Sequence, residues 1–398
     1  MSTGFDGELK AVFETASEFV QPHPRLADRA RAGARRRRRW TLAATAAASA
    51  VALAIAGTTY AAVAHHQDLA ASPQRRGSRP QILATVDYQV TQLAVSGRYL
   101  YVLAAQNSLL TAVDRSSGRL VRRVTLPSEA SALAVGPGGL VWVAFAPDQN
   151  SGPTGIWLLT PDLRQHSAVP GIQATTILPV GRTSAWVPDQ NGVLLVHVPV
   201  PGQAGRASQQ LEPRSSFGSN QSVTPGGWSA LLGGRVAALV TGRNGNDGHL
   251  AIAGSPSLRF GGTPRTQISA MTSTGDSLWV TTYAQRNGET SLQGPLVRLN
   301  TRLALTTPAS VQSNSILARS ESVWSAGNTI WVASGARGHS LVCFSASEKI
   351  GPVSTIPVSG EVVALATTAG TIYVNAEQPP GSYAPSPITS YPIPAACS

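Results

Sequence analysis

Gly275-Asp276-Ser277-Leu278-Trp279-Val280 and Gly327-Asn328-Thr329-Ile330-Trp331-Val332 are two copies of one phrase: a glycine turn, then a short apolar strand ending in aromatic-Val. Looser copies run from Gly97 to Val102, Gly138 to Val143, Gly181 to Val187, Gly233 to Val240 and Gly370 to Val374. There are seven, and successive final valines are separated by 41, 44, 53, 40, 52 and 42 residues. Four-stranded propeller blades recur at roughly 40 to 50 residues. Solenoid helices would need apolar residues at three- and four-residue spacing, and these segments instead read as short strands between turns. The expected fold is all-β, a seven-bladed β-propeller of four-stranded blades over residues 81–398.

Each copy divides in the same way. Residues before the glycine, such as Leu93 to Val95 and Leu133 to Val135, are read as inner strands lining the channel. The aromatic-Val segment is the second strand, with Trp142, Trp186, Trp279 and Trp331 filling the wedge between blades. Third strands are expected at Leu109–Val113, Ile156–Leu159, Val193–Val198, Leu250–Ala253, Leu296–Leu299, Leu341–Phe344 and Ile388–Tyr391. Gln106-Asn107, Asp148-Gln149-Asn150, Asp189-Gln190-Asn191, Asn246-Asp247-Gly248 and Asn287-Gly288 mark the turns before them, because Asn, Asp and Gly tolerate the positive φ of tight hairpins.

Composition agrees with many short strands. Charged residues make up 13% of the 398, against roughly 25% in an average soluble domain, and 38 Gly with 28 Pro supply the turns. The net charge of +11 invites a nucleic-acid reading, but its distribution argues against one. Residues 1–40 form a basic tail in which Lys10, Arg25, Arg29, Arg31 and Arg35 to Arg39 outweigh five acids. Beyond residue 80 the arginines read as scattered, without a helix-turn-helix, RNA-recognition or zinc-finger pattern, so no nucleic-acid partner is expected.

From Thr41 to Ala64 there are 24 residues without a charge, long enough to cross a hydrocarbon core of about 30 Å. Trp40 and Tyr60 would lie roughly 30 Å apart on a helix, one at each interface. Half of the segment is alanine, so the flanking arginines must help to hold it. With Arg35 to Arg39 directly before the span, the positive-inside rule leaves the tail in the cytoplasm and carries the remainder across. Residues 65–80 are then a linker. A signal peptide cleaved after the small-x-small run Ala62-Val63-Ala64 is the alternative, which would release a secreted protein. Leu9, Val12, Phe13, Ala16 and Val20 add a short amphipathic helix in the tail.

The glycine-x-x-apolar-aromatic-Val strand resembles the repeats of bacterial extracytoplasmic seven-bladed propellers, including the virginiamycin B lyase-like and quinoprotein-like superfamilies. Asp114-Arg115-Ser116-Ser117-Gly118 likewise resembles the turn between the outer strands of such blades. The resemblance implies a glutamate just after the aromatic strand, with nearby histidines, for metal binding and proton abstraction. Those stretches read Trp279-Val280-Thr281-Thr282, Trp331-Val332-Ala333-Ser334 and Tyr373-Val374-Asn375-Ala376, without it. His166, His197, His249 and His339 fall in different blades and share no motif. No metal, quinone or other cofactor is therefore expected, nor a Ser-His-Asp or G-x-S-x-G arrangement. The chain reads as a membrane-anchored extracytoplasmic binding or sensing module that presents a propeller face to a ligand or protein. The alternative is an extracytoplasmic lyase or hydrolase acting in the central channel.

A polar residue stands shortly before six inner strands: Gln89, Glu129, Gln173, Gln267, Glu321 and Glu361. These are the candidate binding residues at one channel mouth, with solvated loop polarity as the plain alternative. Closure is the remaining demand of a propeller, since an open ring leaves bare strand edges. The proline-containing tail Pro392 to Ser398 suits a fourth strand poorly, so Ile82 to Val86 is expected to pair beside Ile388 to Tyr391. Cys343 and Cys397, the two cysteines, are candidates for a disulfide in an oxidising compartment, with two free thiols as the alternative.

Overall fold

The computed structural model describes residues 80–397 with breaks at 146–151, 190–191, 212–216, 218–220, 224–227, 243–247, 262–266, 287–288, 292–293, 313–316, 318–319, 335–339, 347–352 and 378–384. The basic tail, Thr41 to Ala64 and most of the linker lie outside the described residues. Among those described, no helix is long and apolar enough to cross a membrane.

Why a glycine opens each repeat is clear from the first hairpin. Gln92–Ser96 pairs antiparallel with Tyr99–Ala104, and Ser96 opposite Tyr99 leaves only Gly97 and Arg98 to reverse the chain. Gly97 takes φ +51°, and Gly275 and Gly327 repeat the conformation at +53° and +57°. A side chain is disfavoured there by its own backbone. Between the second and third strands of blade 1 the positive φ falls on Ser108, at 51°, and not on Gln106 or Asn107. The other expected turns of that set lie wholly or partly outside the described residues.

Seven antiparallel sheets follow. Blade 1 comprises Gln92–Ser96, Tyr99–Ala104, Leu109–Asp114 and Leu120–Thr125 from the axis outward. Blade 2 holds Ala130–Val135, Val141–Phe145, Gly155–Leu159 and His166–Pro170; blade 3 holds Leu178–Pro179, Ser184–Asp189, Gly192–His197 and Ser208–Leu211. In blade 4 the innermost position is split into Gln221–Val223 and Ser229–Leu232, both paired with Arg235–Gly242, and His249–Ile252 and Ser255–Gly261 lie outside them. Blade 5 pairs Gln267–Thr274 with Ser277–Arg286, whose other edge takes Glu289–Ser291 and Leu296–Leu299. Its outermost position is a single bridge from Leu299 to Leu305, ended by Pro308 and the short helix Ala309–Gln312. Blade 6 is regular, with Ser320–Ala326, Thr329–Ser334, Ser340–Ser345 and Ser354–Pro357.

Blade 7 closes the ring. Glu361–Thr367, Thr371–Glu377 and Ser386–Pro392 supply three strands, and Gln81–Val86 from the start of the domain supplies the fourth. Ile82 faces Thr389 and Ala84 faces Ile388, so the expected closing pair is formed. On the opposite side of the chain's end, Cys343 and Cys397 form a disulfide with Cα atoms 5.7 Å apart. It fastens the segment after blade 7 to the third strand of blade 6. The Thr329 hydroxyl also donates to the Cys397 carbonyl at 2.6 Å.

The core is a set of layers between blades, which explains why second strands are apolar at successive positions. Alternation only chooses the neighbour: Leu100, Val102 and Ala104 pack toward blade 7, whereas Tyr101 and Leu103 pack toward blade 2. Trp142, Trp279, Trp324 and Trp331 are fully buried, while Trp186 is half-buried against the same layers. Each such ring removes roughly 150–250 Å² from water. At about 25 cal/mol per Å² that amounts to about 4–6 kcal/mol of transfer free energy. Trp279 meets Phe344 of blade 6 edge-on at 5.3 Å. Gly136 makes room for Trp142, whose indole nitrogen would lie 2.8 Å from any Cβ placed there.

The seam between blades 7 and 1 is held by the turn Asp114–Gly118. The Asp114 carboxylate accepts the backbone N–H groups of Ser116 and Ser117 at 2.9 and 3.0 Å, both serine hydroxyls, and the Arg98 guanidinium. The Ser116 hydroxyl and then Arg98 hold this carboxyl well below the usual carboxylate range. So fixed, the turn directs Arg115 across the seam, where its Nε donates to the Tyr373 hydroxyl at 3.0 Å. At Gly118 the closing strand comes so near that a Cβ would stand 1.9 Å from the Leu83 carbonyl oxygen.

Candidate functional site

Inner strands all begin at the same end of the ring, and the six candidate residues lie at or just before those beginnings. Gln89, Glu129 and Gln173 stand in the connections that lead into blades 1, 2 and 3. Gln267 and Glu361 are the first residues of their strands, and Glu321 is the second of its own. Gln89, Gln173 and Glu361 are exposed, whereas Glu129 and Gln267 are half-buried. The topology thus brings the six backbones to one rim. Glu361 also stands opposite Glu377 in the blade 7 hairpin, so two carboxylate-bearing positions share that part of the rim.

Just below the rim lies a feature that the sequence reading missed. Gln92, three residues beyond the candidate Gln89, is fully buried and ties blade 1 to blade 2. Its Oε1 accepts the Leu133 N–H at 2.7 Å, and its Nε2 donates to the Ser131 carbonyl at 3.2 Å. The Ser131 hydroxyl continues the chain of contacts to the Ala174 carbonyl of the next connection, at 2.5 Å. Across the ring, the hydroxyls of Thr272 in blade 5 and Ser325 in blade 6 meet at 2.6 Å. Buried polar groups cost free energy unless bonded, and here the bonds run between blades. The signal was a long amide heading the strand Gln92–Ser96, directly before the apolar run Leu93-Ala94-Val95, where a buried polar side chain must find a partner.

Among the described residues the histidines do not converge. His166 stacks on Trp157 with ring centroids 4.0 Å apart on the outer edge of blade 2. His249 is buried in blade 4, and His339 lies outside the described residues. His197 Nδ1 contacts the Ser184 hydroxyl at 2.8 Å on the exposed surface of blade 3. A working nucleophile also needs a group that orients its base, and among the described residues no carboxylate is hydrogen-bonded to this ring. Groups of three His, Cys, Asp or Glu with metal-like spacing do not occur among the described residues.

The arginines of blade 1 are less scattered than the sequence implied. Arg119, Arg122 and Arg123 stand together at its outermost strand, all exposed. Arg123 pairs with Asp87 at 3.1 Å and lies over the Tyr88 ring, 5.2 Å from its centroid.

Comparison with solved structures finds the same fold in WD40-repeat domains. The RRP9 WD40 repeats align over 80% of this chain and 98% of that one, with TM-score 0.52 and 12% identity. The Pan2 WD40 domain of Neurospora crassa aligns over 82% and 100%, with TM-score 0.50 and 10% identity. Virginiamycin B lyase from Staphylococcus aureus is a further structural neighbour, covering 79% and 99%, with TM-score 0.47 and 14% identity. At such identities the likeness is one of fold alone. The sequence matches no protein-family model and no curated protein.

Proposed function

We propose that this chain is a membrane-anchored binding module. Thr41 to Ala64 spans the bilayer, the arginine-rich tail stays in the cytoplasm, and the propeller stands outside, offering its rim to a ligand or protein partner. The observation that carries the export half is the Cys343–Cys397 bridge, since disulfides persist in oxidising compartments and are rare in the cytosol. Support for the binding half comes from the fold, which suits a binding or scaffold role. A rigid ring holds its blades together through buried polar contacts and leaves the rim residues Gln89, Gln173 and Glu361 exposed.

Protease added outside intact cells tests the topology. The expected result is digestion of the propeller with an N-terminal tag spared. A mature protein beginning near His65 would establish signal cleavage instead, and a fully protected propeller would overturn export. For binding, photo-crosslinkers at Gln89, Gln173 and Glu361 should trap one recurring partner, and the same label on the opposite end at Gly97 should not.

A further inference from the structure

We infer that the outer edges of blades 7 and 1 rest against a bilayer surface presenting anionic phosphate headgroups. This deepens the anchored reading above and rests on it. Among the described residues five large apolar side chains are exposed, and three of them, Ile82 at 67%, Leu120 at 51% and Val121 at 46%, lie on these two neighbouring outer strands. The closing strand meets the turn that leads into the other at Leu83 and Gly118.

The same edge carries the arginines. Arg119, Arg122 and Arg123 accompany Leu120 and Val121, whereas the outermost strands of blades 2, 3 and 6 contain no arginine and that of blade 4 contains only Arg259. Exposed apolar side chains interleaved with guanidinium groups suit a headgroup boundary, where the apolar parts enter the interface and the planar forks of Arg119 and Arg122 bind phosphate oxygens, Arg123 being already paired with Asp87. Position in the chain supplies the second argument. Gln81 opens the closing strand directly after the linker 65–80, so this edge is where the domain meets its tether. Sixteen extended residues reach at most roughly 55 Å, which holds the edge at high effective concentration beside the bilayer. An acidic protein surface would satisfy the arginines equally but is not delivered by the chain itself.

The test reconstitutes the full chain into vesicles of phosphatidylcholine, with or without phosphatidylglycerol, and follows hydrogen exchange in residues 81–86 and 119–125. Slower exchange is expected in the anionic vesicles only, and it should be reversed by added salt. In the double variant Arg119→Gln/Arg122→Gln the protection should fall by about fivefold for each arginine. The salt reversal reads the same contact in the unaltered protein if that variant folds poorly. Equal exchange in both lipids, or equal protection in detergent from self-association, would overturn the inference. A chain stripped from vesicles by alkaline washing would refute the anchor itself and this inference with it. A retained but unprotected chain refutes this inference alone.

Discussion

Replacing Gly118 by alanine should loosen the ring at its seam. Two costs combine there. Gly118 has φ +68°, and an L side chain in that region costs about 1–2 kcal/mol. The new Cβ would also stand 1.9 Å from the Leu83 carbonyl oxygen, and because that atom is backbone no rotamer change relieves it. Forcing atoms into packed space typically costs a further ~1–3 kcal/mol. Unfolding entropy is about 2.1 cal/mol/K per residue, so a domain of roughly 300 residues loses about 1.5 °C of Tm per kcal/mol. The expected fall is therefore about 3–7 °C. Gly97→Ala is the matched control, since Gly97 has φ +51° and nothing within 4 Å of its Cβ position. It should lower Tm by about 1.5–3 °C. Scanning calorimetry of both variants decides the matter. If Gly118→Ala is no less stable than Gly97→Ala, the close approach of the closing strand does not contribute as argued.

Three further outcomes are expected. Cys343→Ser/Cys397→Ser removes a cross-link over a separation of 54 residues, for which the chain-entropy model gives about 4 kcal/mol, a fall of roughly 6 °C by calorimetry. Asp114 titrates below its ordinary value when folded, so its stabilisation is present above about pH 4 and is lost as pH falls through the window beneath. Asp114→Asn should accordingly flatten the acid limb of stability against pH by up to about one proton, measured by denaturant titrations at stepped pH. Gln92→Leu leaves the buried Leu133 N–H without its 2.7 Å acceptor and should cost about 1–3 kcal/mol, seen as a lower urea midpoint at unchanged slope.

Much of the fold was legible because a few positions are physically constrained. Reversing the chain with two residues between Ser96 and Tyr99 demands a residue tolerant of positive φ, so glycine recurs there and at Gly275 and Gly327, whereas Gly181 and Gly370 mark their hairpins without a positive φ. Strands covered on both faces must be apolar at consecutive positions, and that produced the aromatic-Val phrase. Closure by Ile82 to Val86 followed from the prolines that disqualify the tail. Other features depend on tertiary neighbours. Gln89 and Gln92 are the same residue type three positions apart, and only the packing of blade 2 makes one a buried bridge and the other a solvated rim residue. The split inner strand of blade 4 and the truncated edge of blade 5 have no counterpart in the repeat phrase. Arg119, Arg122 and Arg123 already stand within five residues of one another, and what the sequence did not show is that the turn leading into this strand meets the closing strand, where Leu83 approaches Gly118.

Closing the ring with its first strand has a consequence for biogenesis. The Ser390 hydroxyl binds the Gln81 carbonyl across a separation of 309 residues, so the last sheet joins the two ends of the domain. At about 5–20 residues per second of synthesis, Gln81–Val86 waits roughly 15–60 s before its partner exists. During that interval an apolar strand with both edges bare is an invitation to pair wrongly, with a neighbouring chain as readily as with its own. The blades between can form in order as they emerge, since each sheet is built from consecutive strands. The final and most non-local event is thus postponed until all seven repeats are complete, which makes any truncated product a ring that cannot shut.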